Sequence, residues 1–416
     1  MKKKILQSVI SIILCFSFTS CTLGQTNKEK SNLSLTQKQK LDDFEYMYNI
    51  LKDNYPYFEV DKRLHNIDWL SKKDQYVEML KATKSDSDFC STLQDILKEL
   101  NNGHTHIFSR DLYNETKKIF EEEPKHFSSW LKELNKPVAV KRYASLNKSS
   151  DSKNSTNSNS TNFITPNNVY IKKFEDKKVA YLSIKSFLGF NTEPDMKLIK
   201  PFLKEISSYK ALIIDIRGNG GGDSRYWSDN IVPMLIDKPL TYNSYILLRG
   251  GTFIEPFLKC EDDLDYNKCY QISKLKGEGL KNTPPETYDK FKYYIKSSYT
   301  ISPKDYVGFK GKIYLLTDKN VFSSSEALAV FCKSTGFATI VGEATGGDGV
   351  GGDPVVCTLP NSGYVFGFTR EMGLNPDGSS NFEKKTEPDI KVPTDNSKYI
   401  DVDKDETIKT VLKLLQ

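Results

Sequence analysis

Ala211-Leu-Ile-Ile-Asp-Ile-Arg-Gly-Asn-Gly-Gly-Gly222 is a short apolar run that ends in a glycine-rich loop. An uninterrupted run of branched residues bounded by Gly suits a strand buried on both faces, as in a parallel sheet covered by helices. The three consecutive glycines let bare backbone approach a neighbour closely. A tight strand-to-helix turn is one use of such a loop, and a cradle for an oxyanion is another. A dinucleotide loop fits poorly, because Asp223 stands where the third glycine of that fingerprint belongs.

The pattern continues on either side. Val179–Ile184, Gly311–Thr317 and Ala338–Val341 read as strands. Residues 195–208, 224–236 and 324–335 read as helices. This alternation predicts an α/β sheet with helices on its faces. Upstream, residues 36–101 read as helical. Leu41, Phe44, Met47, Tyr48 and Leu51 fall at helical spacing, and a third helix carries Phe89, Leu93, Ile96, Leu97 and Leu100 up to a stop at Asn101-Asn102-Gly103. His104–Phe108 then reads as a strand.

The chain of 416 residues divides accordingly. Residues 1–20 read as a signal peptide, 21–36 as a lipidated tether, 37–137 as a helical domain with a His-bearing strand, and 138–168 as a polar linker. Residues 169–400 form the core and 401–416 a terminal helix. Lys2, Lys3 and Lys4 precede the apolar stretch Ile5–Phe18, which is short for a membrane span and right for a signal h-region. Phe18-Thr19-Ser20-Cys21 resembles a bacterial lipobox, which makes Cys21 the lipid attachment point and places the chain on the cell envelope, facing periplasm or exterior. Losing the three lysines lowers the net charge from +5 to about +2, which argues against a nucleic-acid partner. Of the seven cysteines, Cys260 and Cys269 are close enough in sequence for a local disulfide in an oxidising compartment. The absence of a CxxC pair argues against a zinc site of that kind.

Two further features carry chemistry. Asn320-Val-Phe-Ser-Ser-Ser-Glu326 joins a strand to a helix. Ser323 and Glu326 fit a capping box, while a serine nucleophile at a helix start is the functional alternative. Ser324 could supply the cap instead. His104 is one of four histidines, and an imidazole is the side chain whose unperturbed pKa suits a general base at neutral pH. Strand alternation would turn His106 to the opposite face. His65 and His126 sit in no motif.

Taken in order, the Asp215–Gly222 loop, the Ser323–Glu326 element, Val341-Gly-Glu-Ala-Thr-Gly346, Leu359-Pro-Asn361, Pro376-Asp-Gly378 and Glu387-Pro-Asp-Ile-Lys-Val392 resemble the catalytic core of the tail-specific (C-terminal-processing) and tricorn-type serine peptidases. The resemblance covers roughly residues 170–395. It implies a crotonase-like α/β peptidase core, Ser323 as nucleophile, and an oxyanion hole from Gly220 or Gly221 together with the Ser324 N–H. It also implies peptide or unfolded-protein substrates and no cofactor.

The processing branch places a Lys base 25 residues after the Ser, and here that residue is Asp348 in Gly346-Gly-Asp-Gly349. A carboxylate cannot act as a neutral amine. The tricorn-like branch uses a His after the N-terminal helices, which Asn102-Gly-His-Thr105 resembles, so His104 is the expected base. Glu383 is the nearest match to that branch's Glu. Gly103 stands where the tricorn core has a Ser, and no PDZ signature is visible. The competing expectation is a non-catalytic peptide- or lipophile-binding surface protein on the same fold.

Overall fold

The computed structural model describes residues 34–146, 168–393 and 402–415. The signal and lipobox, including Cys21, and residues 147–167 of the polar linker lie outside the described residues, while residues 138–145, also expected to be linker, are helical instead.

The N-terminal region is helical: α1 (Gln37–Asn54), α2 (Phe58–His65), α3 (Lys73–Lys81), α4 (Asp86–Lys98), α5 (Arg110–Glu122), α6 (Ser128–Leu134) and α7 (Pro137–Ser145). Helix α1 opens on a capping box in which Thr36 and Gln39 satisfy each other's backbone N–H groups. Its apolar face, Phe44, Met47, Tyr48 and Leu51, is buried. Between α4 and α5 the chain makes only a two-residue strand, β1 (His106–Ile107), shorter than the expected 104–108. The Asn102 carboxamide oxygen accepts the His104 N–H at 3.0 Å and the Thr105 hydroxyl at 3.1 Å. This local turn competes with strand pairing and leaves His104 outside the ladder.

The core holds a six-stranded sheet. In chain order its strands are β2 (Val169–Phe174), β3 (Val179–Ile184), β4 (Ala211–Asp215), β8 (Lys312–Thr317), β9 (Thr339–Gly342) and β13 (Ile390–Lys391). Their spatial order is β13-β9-β8-β4-β3-β2. Only the β2–β3 pair is antiparallel. All five residues of β4 are buried, as the apolar run predicts. Helix α8 (Gly189–Glu205) begins earlier than the expected 195. The expected helix 224–236 is two short ones, Arg225–Ser228 and Val232–Leu235. Pro233 has no N–H to give to a continuous helix, and it sits in the first turn of the second one, where none is needed.

A second sheet joins β12 (Met372–Leu374), β5 (Leu240–Leu248), β7 (Tyr293–Ile301) and β6 (Tyr270–Gln271). A third joins β1, β11 (Val365–Phe368) and β10 (Val355–Thr358). Strand β1 pairs antiparallel with β11, His106 opposite Gly367. The helical region and the core therefore share a sheet. They share a hydrophobic cluster as well, in which Leu51, Trp69 and Leu97 belong with Leu247, Phe366 and Met372. Hydrophobic burial here fixes the histidine-bearing turn against the core. No disulfide joins Cys260 and Cys269. Cys260 lies on a helix and donates back to the Phe257 carbonyl at 3.4 Å, while Cys269 follows a left-handed turn at Asp263.

Candidate active site

Three adjacent parallel strands, β4, β8 and β9, deliver their loops to one sheet edge. Crevices beyond the carboxyl ends of parallel strands are the natural ligand sites of such sheets. Strand β4 leads into the glycine loop, β8 into Ser323, and β9 into Asp348.

The glycine loop is fixed by its polar residues. Asp215 and Arg217 form a buried ion pair at 2.6 Å, and Arg217 also reaches Asp405 at 2.9 Å. Asn219 spans the loop. Its amide donates to the Ile184 carbonyl at 3.0 Å, and its oxygen accepts from the Gly221 N–H at 2.9 Å and the Ser325 hydroxyl at 2.7 Å. Gly221 has φ +110°, and a Cβ there would lie 2.7 Å from the Phe322 carbonyl oxygen and 2.8 Å from the Ser324 nitrogen. Only glycine lets the loop sit this close to Ser323 and Ser324.

Ser323 is the residue before the helix Ser324–Thr335, with φ 57° and ψ −126°. A non-glycine residue in that region is strained by about 1–3 kcal/mol and persists only where its surroundings impose it. Here the Ser323 N–H donates to the Gly347 carbonyl at 3.3 Å and its carbonyl accepts from Ala327 at 2.9 Å. The capping-box alternative does not form, since Ser323 makes no side-chain cap. Nor does Ser324 cap the helix. Its hydroxyl accepts from Ser224 at 3.1 Å and from the Trp227 indole at 3.2 Å.

The Ser323 hydroxyl instead meets His104, with Oγ 3.1 Å from Nε2. The other ring nitrogen, Nδ1, lies 2.9 Å from Asp348 Oδ2. All three groups are buried, the Asp348 side chain at 4% exposure. Asp348 Oδ2 also accepts from Asn102 at 2.8 Å and Thr369 at 3.0 Å, and Oδ1 accepts from the Tyr57 hydroxyl at 2.8 Å. Burial opposes ionisation of Asp348, but the hydrogen bond and charge of His104, with the Asn102 and Tyr57 donors, hold its carboxyl below the usual carboxylate range. A carboxylate at Nδ1 selects the Nδ1–H tautomer and leaves Nε2 to accept the serine proton.

Glu383, the expected third residue, is elsewhere. Its carboxylate pairs with Arg63 at 2.7 Å, and Arg63 also binds Glu286. Asp348, noted in the sequence only as a missing lysine, stands in its place at the histidine. The signal was present: an acid in a glycine-flanked loop, at the spacing where the family puts a catalytic group. Its partner His104 is 244 positions away, so spacing alone could not pair them.

Among the expected oxyanion donors, the Gly221 N–H is taken by Asn219. Ser324 opens the helix, so its N–H has no intrahelical acceptor. Gly220 precedes Gly221 in the glycine loop. His106 stacks on Phe108 with centroids 5.5 Å apart. Burial and then the charge of His104 push it down to about 3, so it is neutral near pH 7. Glu326 sits inside the helix, pushed up to about 7 by burial against the hydrogen bonds of Thr345, Thr386 and Asn381. It accepts from Asn381 and Thr386 at 2.7 Å each, and Asn381 in turn accepts the Gly349 N–H at 2.9 Å. The motif glutamate thus braces the loop that carries Asp348.

Comparison with known proteins gives the family and the fold. The model of Peptidase family S41 matches residues 178–392, over half of the chain. The Tricorn protease C1 domain matches residues 36–98. No curated protein matches. Among solved structures, a candidate peptidase from Parabacteroides merdae superposes with TM-score 0.55 at 19% identity, covering 90% of this chain and 96% of that one. Mature CPAF complexed with lactacystin superposes with TM-score 0.54 at 16% identity, covering 91% and 98%. At these identities the likeness is one of fold. From the family match, the chain belongs to peptidase family S41 and is a serine-type peptidase.

Proposed function

We propose that the chain is an exported, lipid-anchored serine endopeptidase that hydrolyses peptide bonds through an acyl-enzyme formed on Ser323. The observation that carries the reading is the continuous contact Ser323–His104–Asp348, at 3.1 and 2.9 Å. Ser323 Oγ attacks the scissile carbonyl carbon as His104 Nε2 takes its proton. Asp348 stabilises the imidazolium that results. Backbone N–H groups of Ser324 and Gly220 receive the oxyanion. Collapse of the tetrahedral adduct breaks the C–N bond, and the proton on Nε2 passes to the leaving amine. Water then attacks the ester, gives a proton to His104, and Ser323 Oγ regains it on release of the acid.

A fluorophosphonate tests the activated serine. The expected result is stoichiometric covalent labelling of the native protein, located on the peptide containing Ser323, and loss of labelling on heat denaturation. A protein that stays unlabelled, or is labelled at another serine, would be a binding protein on this fold or would use a different nucleophile.

The anchor reading rests on Phe18-Thr19-Ser20-Cys21 after the basic and apolar segments. Labelled palmitate should enter the wild-type protein in a bacterial host, while Cys21→Ala should stay unlabelled and leave the membrane fraction. Lipid label that survives in Cys21→Ala rules the anchor out. Attachment at Cys21 would place the peptidase on the cell envelope, acting on peptides or unfolded proteins outside the cytoplasm.

A further inference from the structure

His126, Glu261 and Asp353 meet away from the triad, and one potential ligand atom from each lies within 4.8 Å of the others. They come from three distant segments. His126 is in the turn between α5 and α6, Glu261 is on the helix Glu255–Asp262 between β5 and β6, and Asp353 is two residues before β10. Even Glu261 and Asp353, the pair nearer in sequence, are 92 positions apart, so no linear motif announces the cluster. The acids are buried, with the Glu261 side chain 4% exposed and Asp353 1%. Glycines let the loop after Asp348 close on them. A Cβ at Gly352 would lie 2.7 Å from Glu261 Oε1, and the Asp353 N–H donates to that same oxygen at 3.2 Å.

Charge decides what the cluster can take. Glu261, Asp353 and Glu371 bring three carboxyl groups to the buried guanidinium of Arg370, which pairs with Glu261 and lies 3.4 Å from Glu371. Burial pushes the Glu371 carboxyl above its usual range. Even with Glu371 protonated, two carboxylates face one guanidinium. Arg225, whose charge also reaches His126, is engaged with Asp223 and Glu123 at 2.8 Å each. Buried negative charge in excess of its partners is costly, and an ion that supplies two positive charges relieves it.

We infer that His126, Glu261 and Asp353 bind a divalent transition-metal ion, with Zn²⁺ the best fit, and that the ion fastens the loop after Asp348 to the helical region. One imidazole nitrogen and two carboxylate oxygens make a three-ligand protein set that suits Zn²⁺, whereas Mg²⁺ and Ca²⁺ take all-oxygen shells. Zinc bonds of about 2.0–2.2 Å draw the three donors inward by side-chain rotation, and water completes the tetrahedron. Asp353 also lines the cavity bordered by His104 and His106, so the fastening reaches a wall of the catalytic centre. The inference is independent of the peptidase reading.

The test is Zn²⁺ binding by calorimetry to the untagged full chain after stripping with a chelator. Wild type is expected to bind one Zn²⁺ per chain, and a roughly 100-fold excess over Kd should raise Tm by about 3 °C or more. His126→Ala and Asp353→Asn should each weaken binding by at least about 100-fold, more than loss of an outer-shell partner costs, and should abolish the Tm shift. His126 is only partly buried and sits on a turn, so its variant should keep a cooperative unfolding transition. Co²⁺ in place of Zn²⁺ gives a second reading, with visible absorption bands of a tetrahedral site in wild type and none in either variant. His65→Ala and His104→Ala should bind Zn²⁺ as wild type does, since neither residue belongs to the cluster. Wild type that binds no Zn²⁺, or either ligand variant that binds it within a few-fold of wild type, overturns the inference. So does loss of the ion in His104→Ala with retention in His126→Ala, which would put the metal at the triad. None of these outcomes depends on cleavage, so failure here leaves the peptidase reading standing.

Discussion

His104→Ala should lower kcat by on the order of 10³-fold or more on any peptide the wild type cleaves, with KM little changed. Among the described residues, the imidazole is the group within hydrogen-bond reach of the Ser323 hydroxyl that can take its proton, at 3.1 Å. Without it, the serine must lose its proton to water, while the proposed oxyanion donors remain. The residual rate should therefore still exceed that of the uncatalysed reaction. The neighbouring histidine gives the control. His106→Ala removes a buried ring stacked on Phe108, so it should lower stability by about 1–3 kcal/mol. Its kcat, measured on the folded fraction, should stay within roughly tenfold of wild type, since His106 touches neither Ser323 nor Asp348 in any described contact. A His104→Ala variant that turns over at nearly the wild-type rate would remove His104 from the mechanism and require another base.

Asp348 should matter comparably, and in a graded way. Asp348→Ala removes the carboxylate that orients His104, and a fall in kcat on the order of 10⁴-fold is expected. Asp348→Asn should be milder. Three donors, from Asn102, Thr369 and His104, converge on Oδ2, whereas among the described residues Oδ1 meets the Tyr57 hydroxyl alone. The Asn amide should turn its oxygen to the crowded side, with its NH2 toward Tyr57. That keeps the imidazole tautomer and loses the charge that stabilises the imidazolium, so a loss of about 10²–10³-fold is expected. Glu383→Gln should change kcat by no more than a few-fold, because Glu383 engages Arg63. The measurement is kcat and KM for the three variants on one substrate. If Glu383→Gln is crippled and Asp348→Ala is active, the catalytic acid has been assigned to the wrong residue. Because Asp348 is held below the usual carboxylate range, it is already ionised at neutral pH. The deficit of Asp348→Ala should accordingly persist across the neutral range.

The same residues mark how far the sequence reaches. Uninterrupted branched residues over Ala211–Asp215 sufficed for a buried parallel strand, because burial on both faces requires such a run. Helical spacing sufficed for α1 and α4, whose apolar stripes must be covered. The order of motifs pointed to a serine peptidase core, and to Ser323 and His104 as candidates. Local pattern did not extend to the 104–108 segment, where the Asn102 side chain claims the His104 N–H, nor to residues 224–236, where Pro233 begins a second helix.

What tertiary structure alone decided is the pairing of distant groups. Periodicity and capping report on neighbours in the chain, and a charge relay joins residues that are not neighbours. Ser323 met two local criteria for a helix cap, yet its backbone at φ 57° turns the hydroxyl away from the helix and toward His104. Asp348 and Glu383 were both acids near a matching position. The choice between them came from packing: Arg63 on α2 draws Glu383 outward, while Tyr57, Asn102 and Thr369 gather around Asp348. Those partners come from the helical region and from the segment after β11, and the sheet that β1 shares with β11, with the hydrophobic cluster common to both regions, brings them together. The sequence by itself determined the class of fold and singled out Ser323 and His104 as candidates. Which carboxylate stands at His104 was decided by which one the folded chain surrounds with donors, a property no linear pattern encodes.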